Sequence, residues 1–257
     1  MPQQTDAQTF WEHLDELRHT LLRIILVTVT AAIAAFLFKE QLFDIVLAPK
    51  DADFITYRLM ERLSAMEHFS VSLVNTGLAE QFVIHMQTAL AAGVLCASPY
   101  ILYEIFRFVS PALYTGERRH ALRLVGSGYT MFLLGVLLSY YLIFPLTFRF
   151  LGTYQVSGEV ENMITLKSYM STLIMMCLTI GIVFEMPVLA WLFSRMGLLT
   201  APFMRRYRRH AVVLILIVAA VITPTSDVFT LLLVSLPMCL LYEASIVSMA
   251  GKNHTKA

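Results

Sequence analysis

Long stretches without charged residues alternate with short charged clusters along this chain. There are six long stretches, and charge enters them only at Glu185 in the fourth and Glu243 in the sixth. An α-helix rises about 1.5 Å per residue and needs roughly 20 apolar residues to cross a membrane core of about 30 Å. The pattern predicts an all-α integral membrane protein with six transmembrane helices, at about 21–38, 79–103, 122–148, 168–194, 210–223 and 228–248.

The last two of these helices are predicted to be short. Their strongly apolar parts contain 12 residues in 211–222 and 14 residues in 228–241. The residues at 223–227 favour a turn, so the pair is expected to form a tight hairpin. Because 12 helical residues cover only about 18 Å, either the bilayer thins at this hairpin or the pair does not fully cross it.

Positive charge is divided unequally between the two sides that six crossings define. Of the 19 lysines and arginines, 13 fall on the side of the two termini and six on the other. Cytoplasmic loops are enriched in these residues, so both termini are predicted to be cytoplasmic. One membrane domain is expected over 1–257, with an extracytoplasmic cap at 39–78. No signal-peptide cleavage site precedes the first apolar stretch, so no cleavable signal peptide is expected.

Composition narrows the function classes. Hydrophobic residues make up 58% of the chain and charged residues 14%, whereas a soluble domain carries about 25% charged residues. An ordinary soluble enzyme, a disordered protein and a nucleic-acid-binding protein are therefore excluded. The three cysteines lie in apolar stretches without metal-ligand spacing, and the chain has no phosphate-binding loop. We expect no metal, no cofactor and no enzymatic activity.

Glu185 is the most unusual single residue, because it lies 18 residues into the fourth apolar stretch. An ionised carboxylate in the apolar part of a bilayer costs about 3 kcal/mol or more, so it is expected to be protonated, paired or facing water. Pro187 lacks a backbone N–H and weakens the helix beside it. The acid therefore lines a substrate path, binds a partner helix, joins neighbouring helices or lies near the cytoplasmic interface. An ion-coupled small-molecule transporter that uses Glu185 as a proton site is the alternative function.

Two carboxylates lie on the predicted cytoplasmic face. Glu16 belongs to an amphipathic segment at 10–18, and Glu117 precedes two arginines in the first cytoplasmic loop. Carboxylates bind guanidinium groups in bidentate fashion and distinguish arginine from lysine by its planar fork. An arginine-binding site is therefore one hypothesis. The alternative for 10–18 is an interfacial anchor with an acidic solvent-facing side.

Three further residues have mainly structural interpretations. Asp227 directly precedes an apolar stretch, which is the expected position of a helix N-cap. Pro49 is expected to end the helix that leaves the first span. Ser127 lies between two glycines and is the nearest candidate for the nucleophile of an intramembrane hydrolase. The glycine that such enzymes have two positions before the serine is missing.

Several ordered motifs resemble the TatC family of the Sec-independent, twin-arginine protein translocase, over about residues 10–248. They are His13-Leu-Asp-Glu-Leu-Arg18, Ala48-Pro49, Ser98-Pro-Tyr-Ile-Leu-Tyr-Glu104, Phe108-Val-Ser-Pro-Ala-Leu-Tyr114 with Glu117-Arg-Arg119, Phe184-Glu-Met-Pro187, and Thr223-Pro with Asp227-Val-Phe229. The chain departs from the family at Thr-Pro-Thr-Ser-Asp, which is one residue longer than the family's Thr-Pro-Pro-Asp, and in the outer loop at 58–75.

The resemblance implies a cupped six-helix bundle in the bacterial cytoplasmic (inner) membrane that acts as the receptor for twin-arginine signal peptides. A homo-oligomeric complex with single-span TatA/TatB-like partners would carry folded proteins across the membrane, driven by the proton-motive force. Glu185 matches the family's intramembrane acid on the concave face, and Asp227 matches an acid at the outer end of the fifth helix. The implied signal-peptide site consists of Glu16, Arg18, Phe108, Pro111, Leu113 and Glu117.

Overall fold

The computed structural model describes residues 10–63, 72–109, 121–155, 157, 162–223 and 227–250, and this part of the chain is almost entirely helical. Helices satisfy their backbone hydrogen bonds within one segment, as a membrane interior requires. The helices are α1 (Phe10–Leu37), α2 (Lys39–Leu47), α3 (Ile55–Leu63), α4 (Glu80–Val109), α5 (Ala121–Leu138), α6 (Phe144–Thr153), α7 (Leu166–Val183), α8 (Met186–Arg195), α9 (Ala201–Arg206), α10 (Arg208–Ile222) and α11 (Val228–Ala250).

Five segments of the described chain are long and apolar enough to cross a membrane, which confirms the prediction of an all-α membrane protein. They are Leu14–Leu37, Glu80–Phe108, Leu124–Thr153, Leu166–Arg195 and Val228–Met249. The predicted span at 210–223 corresponds to α10, whose 15 residues cover only about 22 Å. The structure therefore supports five full-length spans, and the count of six stays a prediction.

The final helix differs from the expectation that both of the last two helices are short. α11 has 23 residues and covers about 34 Å, so the expectation holds for α10 and is wrong for α11. The apolar count stopped at Tyr242-Glu243, but Glu243 does not end the helix. Its carboxylate accepts a hydrogen bond from Arg208 Nη2 of α10 at 2.5 Å, with both side chains about half exposed. The helix continues for about two turns beyond Glu243, to Ala250.

Residues of the predicted cap are held against α6 and α7 by the hydroxyls of Tyr57 and Tyr169. The buried Tyr57 donates hydrogen bonds to the carbonyls of Pro49, at 3.0 Å, and Pro145, at 3.2 Å. Burial raises the pKa of the Tyr57 hydroxyl, so it stays a donor at physiological pH. Pro49 is buried in a 3-10 turn at Ala48–Lys50 that follows α2, which confirms its structural role. Two short strands, β1 (Leu73–Val74) and β2 (Ile164–Thr165), pair in parallel and join the two loops on this side.

Small residues bring α1 and α4 into close contact. A Cβ placed on Gly93 of α4 would lie 2.7 Å from both the Cβ and the backbone nitrogen of Ala32 on α1, closer than real side chains allow. Association of helices in lipid depends on this kind of close backbone packing, because lipid chains are as apolar as the side chains they contact. The contact at Gly93 therefore sets the separation of the two helices.

α5 and α7 are joined by a reciprocal arrangement of glycine and phenylalanine. A Cβ on Gly135 of α5 would lie 2.8 Å from the Ile180 carbonyl oxygen and 2.8 Å from Phe184 Cγ. A Cβ on Gly181 of α7 would lie 2.8 Å from Phe132 Cε2 on α5. Gly181 of α7 therefore receives the ring of Phe132 from α5, and Gly135 of α5 receives the ring of Phe184, the residue that follows α7.

We expect Gly135→Ala to lower the free energy of unfolding by about 1–3 kcal/mol, which is the usual cost of overpacking a tight core. The added methyl group would meet the Ile180 carbonyl and the Phe184 ring. Gly126→Ala is the matched control on the same helix, because a Cβ there has no atom within 4 Å, and it is expected to be neutral or stabilising. Denaturant titration in detergent micelles measures both variants. Equal stability would contradict the close approach of α5 and α7.

Candidate functional site

A pocket of about 260 Å³ lies between α1 and α4, beside two of the residues predicted to bind signal peptides. It brings Glu16 and Phe108 together, although 91 positions separate them in the sequence. From the contact of Ala32 with Gly93, the pocket is reached by following α1 toward its N-terminus and α4 toward its C-terminus. The lining residues are Glu16, His19, Thr20 and Arg23 of α1 and Arg107 and Phe108 of α4.

A buried carboxylate adjoins this pocket. Glu104 of α4 is only 3% exposed, and its oxygens lie 3.8 Å from Arg23 Nη1 and 3.9 Å from Arg107 Nη1. Tyr100, one turn earlier on α4, donates a hydrogen bond to Glu104 Oε1 at 2.9 Å. The carboxylate thus accepts one hydrogen bond and lies within 4 Å of two positive charges. Sequence reasoning missed this cluster, although Glu104 directly follows the second apolar stretch and lies three residues before Arg107.

Unlike Glu104, Glu16 has a buried carboxylate oxygen without a hydrogen-bond partner among the described residues. This oxygen is its Oε2 atom. A buried oxygen has already lost its hydrogen bonds to water. A new donor therefore stabilises it more than it would stabilise a solvated oxygen, which would have to give up water first. Glu16 therefore supplies an unsatisfied acceptor at this pocket.

The other residues of the predicted signal-peptide site are placed differently. Arg18 is exposed on α1 and is not among the residues that line the pocket. Pro111, Leu113 and Glu117 fall in 110–120, outside the described residues. Their contribution to the site stays a prediction.

Glu185 lies in a break of the fourth predicted span, between α7 and α8. Pro187, at the start of α8, cannot donate a backbone hydrogen bond, and Glu185 N–H instead donates to the Ile182 carbonyl at 3.0 Å. The side chain is 6% exposed, and neither carboxylate oxygen has a hydrogen-bond partner among the described residues. The predicted span at 168–194 therefore consists of two helices, with the break at the position where Pro187 is expected to weaken the helix.

The surroundings of Glu185 come from three helices. A Cβ on Gly128 of α5 would lie 3.0 Å from Glu185 Oε2 and 3.5 Å from the Phe106 ring of α4. Gly128 therefore leaves room for the carboxylate beside that ring. Phe106 belongs to a small apolar cluster with Val188 and Leu192 of α8. The carboxylate of Glu185 is therefore next to apolar side chains, and the missing side chain of Gly128 leaves space beside it.

Asp227 caps α11, as predicted. Its Oδ1 atom accepts a hydrogen bond from Thr230 N–H at 2.7 Å, and its carbonyl accepts one from Leu231 N–H at 3.1 Å. Both are bonds that the first turn of a helix leaves to its N-cap residue. The capping interpretation of Asp227 is confirmed.

The remaining candidates for chemistry do not form a catalytic group. Ser127 Oγ donates to the Leu124 carbonyl of its own helix at 2.9 Å, a common use of serine in apolar helices. Among the described residues, no three His, Cys, Asp or Glu side chains are arranged to hold a metal ion.

The fold and this site define a polytopic α-helical membrane protein with a charged pocket at one end and a buried acid at a helix break. The family model for the Sec-independent protein translocase protein (TatC) matches residues 12–237. The chain therefore belongs to the TatC family. This family provides a component of a protein translocase and is not a family of enzymes.

Individual relatives agree with this assignment. The Sec-independent protein translocase protein TatC of Blattabacterium sp. subsp. Periplaneta americana is 32% identical over 257 residues, which cover 96% of each chain. The TatC protein of Desulforapulum autotrophicum is 34% identical and covers 96% of this chain and 86% of its own length. A crystal structure of the twin arginine translocase receptor TatC in DDM matches with a TM-score of 0.78 at 30% identity, covering 93% of this chain and 99% of that one. These comparisons give no support to an ion-coupled small-molecule transporter.

We expect Asp227→Ala to lower the free energy of unfolding by about 1 kcal/mol, because the Thr230 N–H loses its acceptor. Asp227→Asn keeps a side-chain oxygen at the N-cap and is expected to preserve most of that stability. Denaturant titration of both variants in micelles measures the difference. Equal losses in the two variants would contradict capping as the structural role of this residue.

Proposed function

We propose that this chain is the core subunit of a twin-arginine translocase and binds the Arg-Arg signal peptides of folded cargo in the pocket between α1 and α4. The observation that carries the proposal is the buried, unpartnered Oε2 of Glu16 beside Phe108. With TatA/TatB-like single-span subunits, in a homo-oligomeric complex, the chain moves the bound protein across the membrane. The proton-motive force supplies the energy.

The chemistry of the pocket favours arginine over lysine. Glu16 offers a carboxylate to one guanidinium, and Glu117, in the loop that follows α4, is proposed to receive the other. A planar guanidinium can donate two parallel hydrogen bonds to one carboxylate, whereas an ammonium group acts as a point charge. Phe108 provides an apolar wall on which the flat face of a guanidinium can stack. Arg18, Pro111 and Leu113 are proposed to shape the site around these groups.

The location of this pocket is proposed to be the cytoplasmic face of the bacterial inner membrane. The bias of lysine and arginine toward the side of the two termini supports this orientation. Signal peptides are synthesised in the cytoplasm, so the pocket would meet them before export.

Glu185 is proposed to recruit the single-span partners. A buried carboxylate without a hydrogen-bond partner in the described chain is costly in lipid, and a polar group on a partner helix would lower that cost. The break between α7 and α8 presents the acid beside Ile182, which is 64% exposed. A partner helix therefore has an apolar surface next to the acid. Pro187 maintains the break.

We expect Glu16→Gln and Glu117→Gln each to weaken binding of an Arg-Arg signal peptide by about tenfold or more, because an amide cannot pair with a guanidinium charge. Fluorescence anisotropy with a labelled synthetic signal peptide and the full chain in micelles measures this. The parent chain is expected to prefer Arg-Arg over Lys-Lys, and the variants to lose this preference.

The matched control is Asp53→Asn, the same change at an acid that is 89% exposed in the predicted cap. It is expected to bind like the parent chain. Unchanged binding in both glutamate variants, with no preference for Arg-Arg in the parent chain, would overturn the receptor assignment.

We expect Glu185→Gln to lose most of the co-purification of a TatA/TatB-like partner while Arg-Arg peptide binding is retained. Glu185 does not line the pocket that contains Glu16, so the variant is expected to affect the partner more than the peptide. Tandem affinity purification from membranes that contain both proteins measures the loss, again against Asp53→Asn. If partner capture is unchanged and only the free energy of unfolding falls, Glu185 serves helix packing instead.

A further inference from the structure

Two arginines of this chain lie beside the carboxylate that is proposed to receive an arginine from outside. Arg23 and Arg107 line the same pocket as Glu16. Arg23 follows Glu16 by seven positions, which is two helical turns and therefore the same face of α1. Both arginine side chains are about half exposed, and long side chains in this state can take another partner within reach. A resident guanidinium is thus a competitor for Glu16.

Glu104 interacts with both Arg23 and Arg107. Its two oxygens are divided between them, with Oε2 nearest Arg23 and Oε1 nearest Arg107. Tyr100 fixes the orientation of the carboxylate through Oε1. The group is 3% exposed, and a buried charge holds its counter-charges more strongly than a solvated one does. The geometry therefore directs the resident arginines toward Glu104, although both also border the pocket that contains Glu16.

We propose that Glu104 is a positioning residue of the signal-peptide site that keeps Arg23 and Arg107 from neutralising Glu16. The inference rests on the proposed function of Glu16. It also concerns selectivity: the charges of Glu16, Glu104, Arg23 and Arg107 balance, so the pocket does not repel a ligand that carries two positive charges. Loss of the Glu104 charge leaves an excess of one positive charge.

The test uses Glu104→Gln in the full chain, with the labelled Arg-Arg peptide as probe. Glutamine has almost the same shape and can still accept the Tyr100 hydrogen bond, so the helix contact is retained. We expect binding to weaken by about tenfold or more, because the freed arginines pair with Glu16 and repel the peptide. Glu104→Asp keeps the charge and is expected to recover part of the loss.

A second substitution separates this role from a purely structural one. Removing a competing arginine in Glu104→Gln/Arg107→Gln restores the charge balance and is expected to recover most of the binding. Arg107→Gln alone is expected to bind the peptide more tightly than the parent chain, and it tests the proposal even if Glu104→Gln does not fold. A structural role for Glu104 predicts neither result.

The outcomes distinguish this inference from the function on which it rests. If Glu16→Gln weakens binding and Glu104→Gln does not, Glu104 has no positioning role and the receptor assignment stands. If Glu104→Gln weakens binding but the double variant does not recover it, charge competition is overturned. If Glu16→Gln itself binds like the parent chain, Glu16 is not the acceptor and the charge competition is overturned, while the receptor assignment is then decided by Glu117→Gln and by the preference for Arg-Arg.

Discussion

The contact between Gly93 and Ala32 is the constraint on which the pocket depends. Helices in lipid have no water to expel, so their separation is set by how closely their backbones can approach. From this contact, nine residues of α1 lead back to Arg23 and eleven residues of α4 lead on to Glu104, about 13 Å and about 16 Å of helix. Two groups distant in sequence are therefore brought to similar depth. A wider separation at Gly93 would move the two sides of the pocket apart.

Three acids show three solutions to the cost of placing a carboxylate near apolar surroundings. Glu104 is compensated by two arginines and a tyrosine hydroxyl. Asp227 directs one oxygen to the free N–H groups at the start of α11, where the helix dipole also favours negative charge. Glu185 lies at a helix break without a hydrogen-bond partner in the described chain. The three acids therefore differ in how much of their charge the described chain compensates: Glu104 and Asp227 each accept at least one hydrogen bond, and Glu185 accepts none.

Hydrophobic pattern and helix chemistry predicted much of the fold and part of the site. The apolar stretches predicted the long helices, and the position of Asp227 predicted its N-cap role. Both features depend on residues that are close together in the sequence. The predicted span at 228–248 matches α11, although the count of strongly apolar residues stopped at 241 and made this helix look short. The Glu104 cluster was missed because its partners are not all neighbours in the sequence. One of the two arginines near Glu104, Arg23, belongs to α1, and the sequence around Glu104 does not indicate that Arg23 lies close to it.

The reciprocal seating of Phe132 on Gly181 and Phe184 on Gly135 has a mechanical consequence. For α5 and α7 to slide past each other, both rings would have to leave their places at the same time, and no intermediate position offers a glycine to receive them. Sliding of α5 past α7 is therefore disfavoured by both contacts at once. We expect any opening that passes a folded protein to leave this pair together and to involve other contacts.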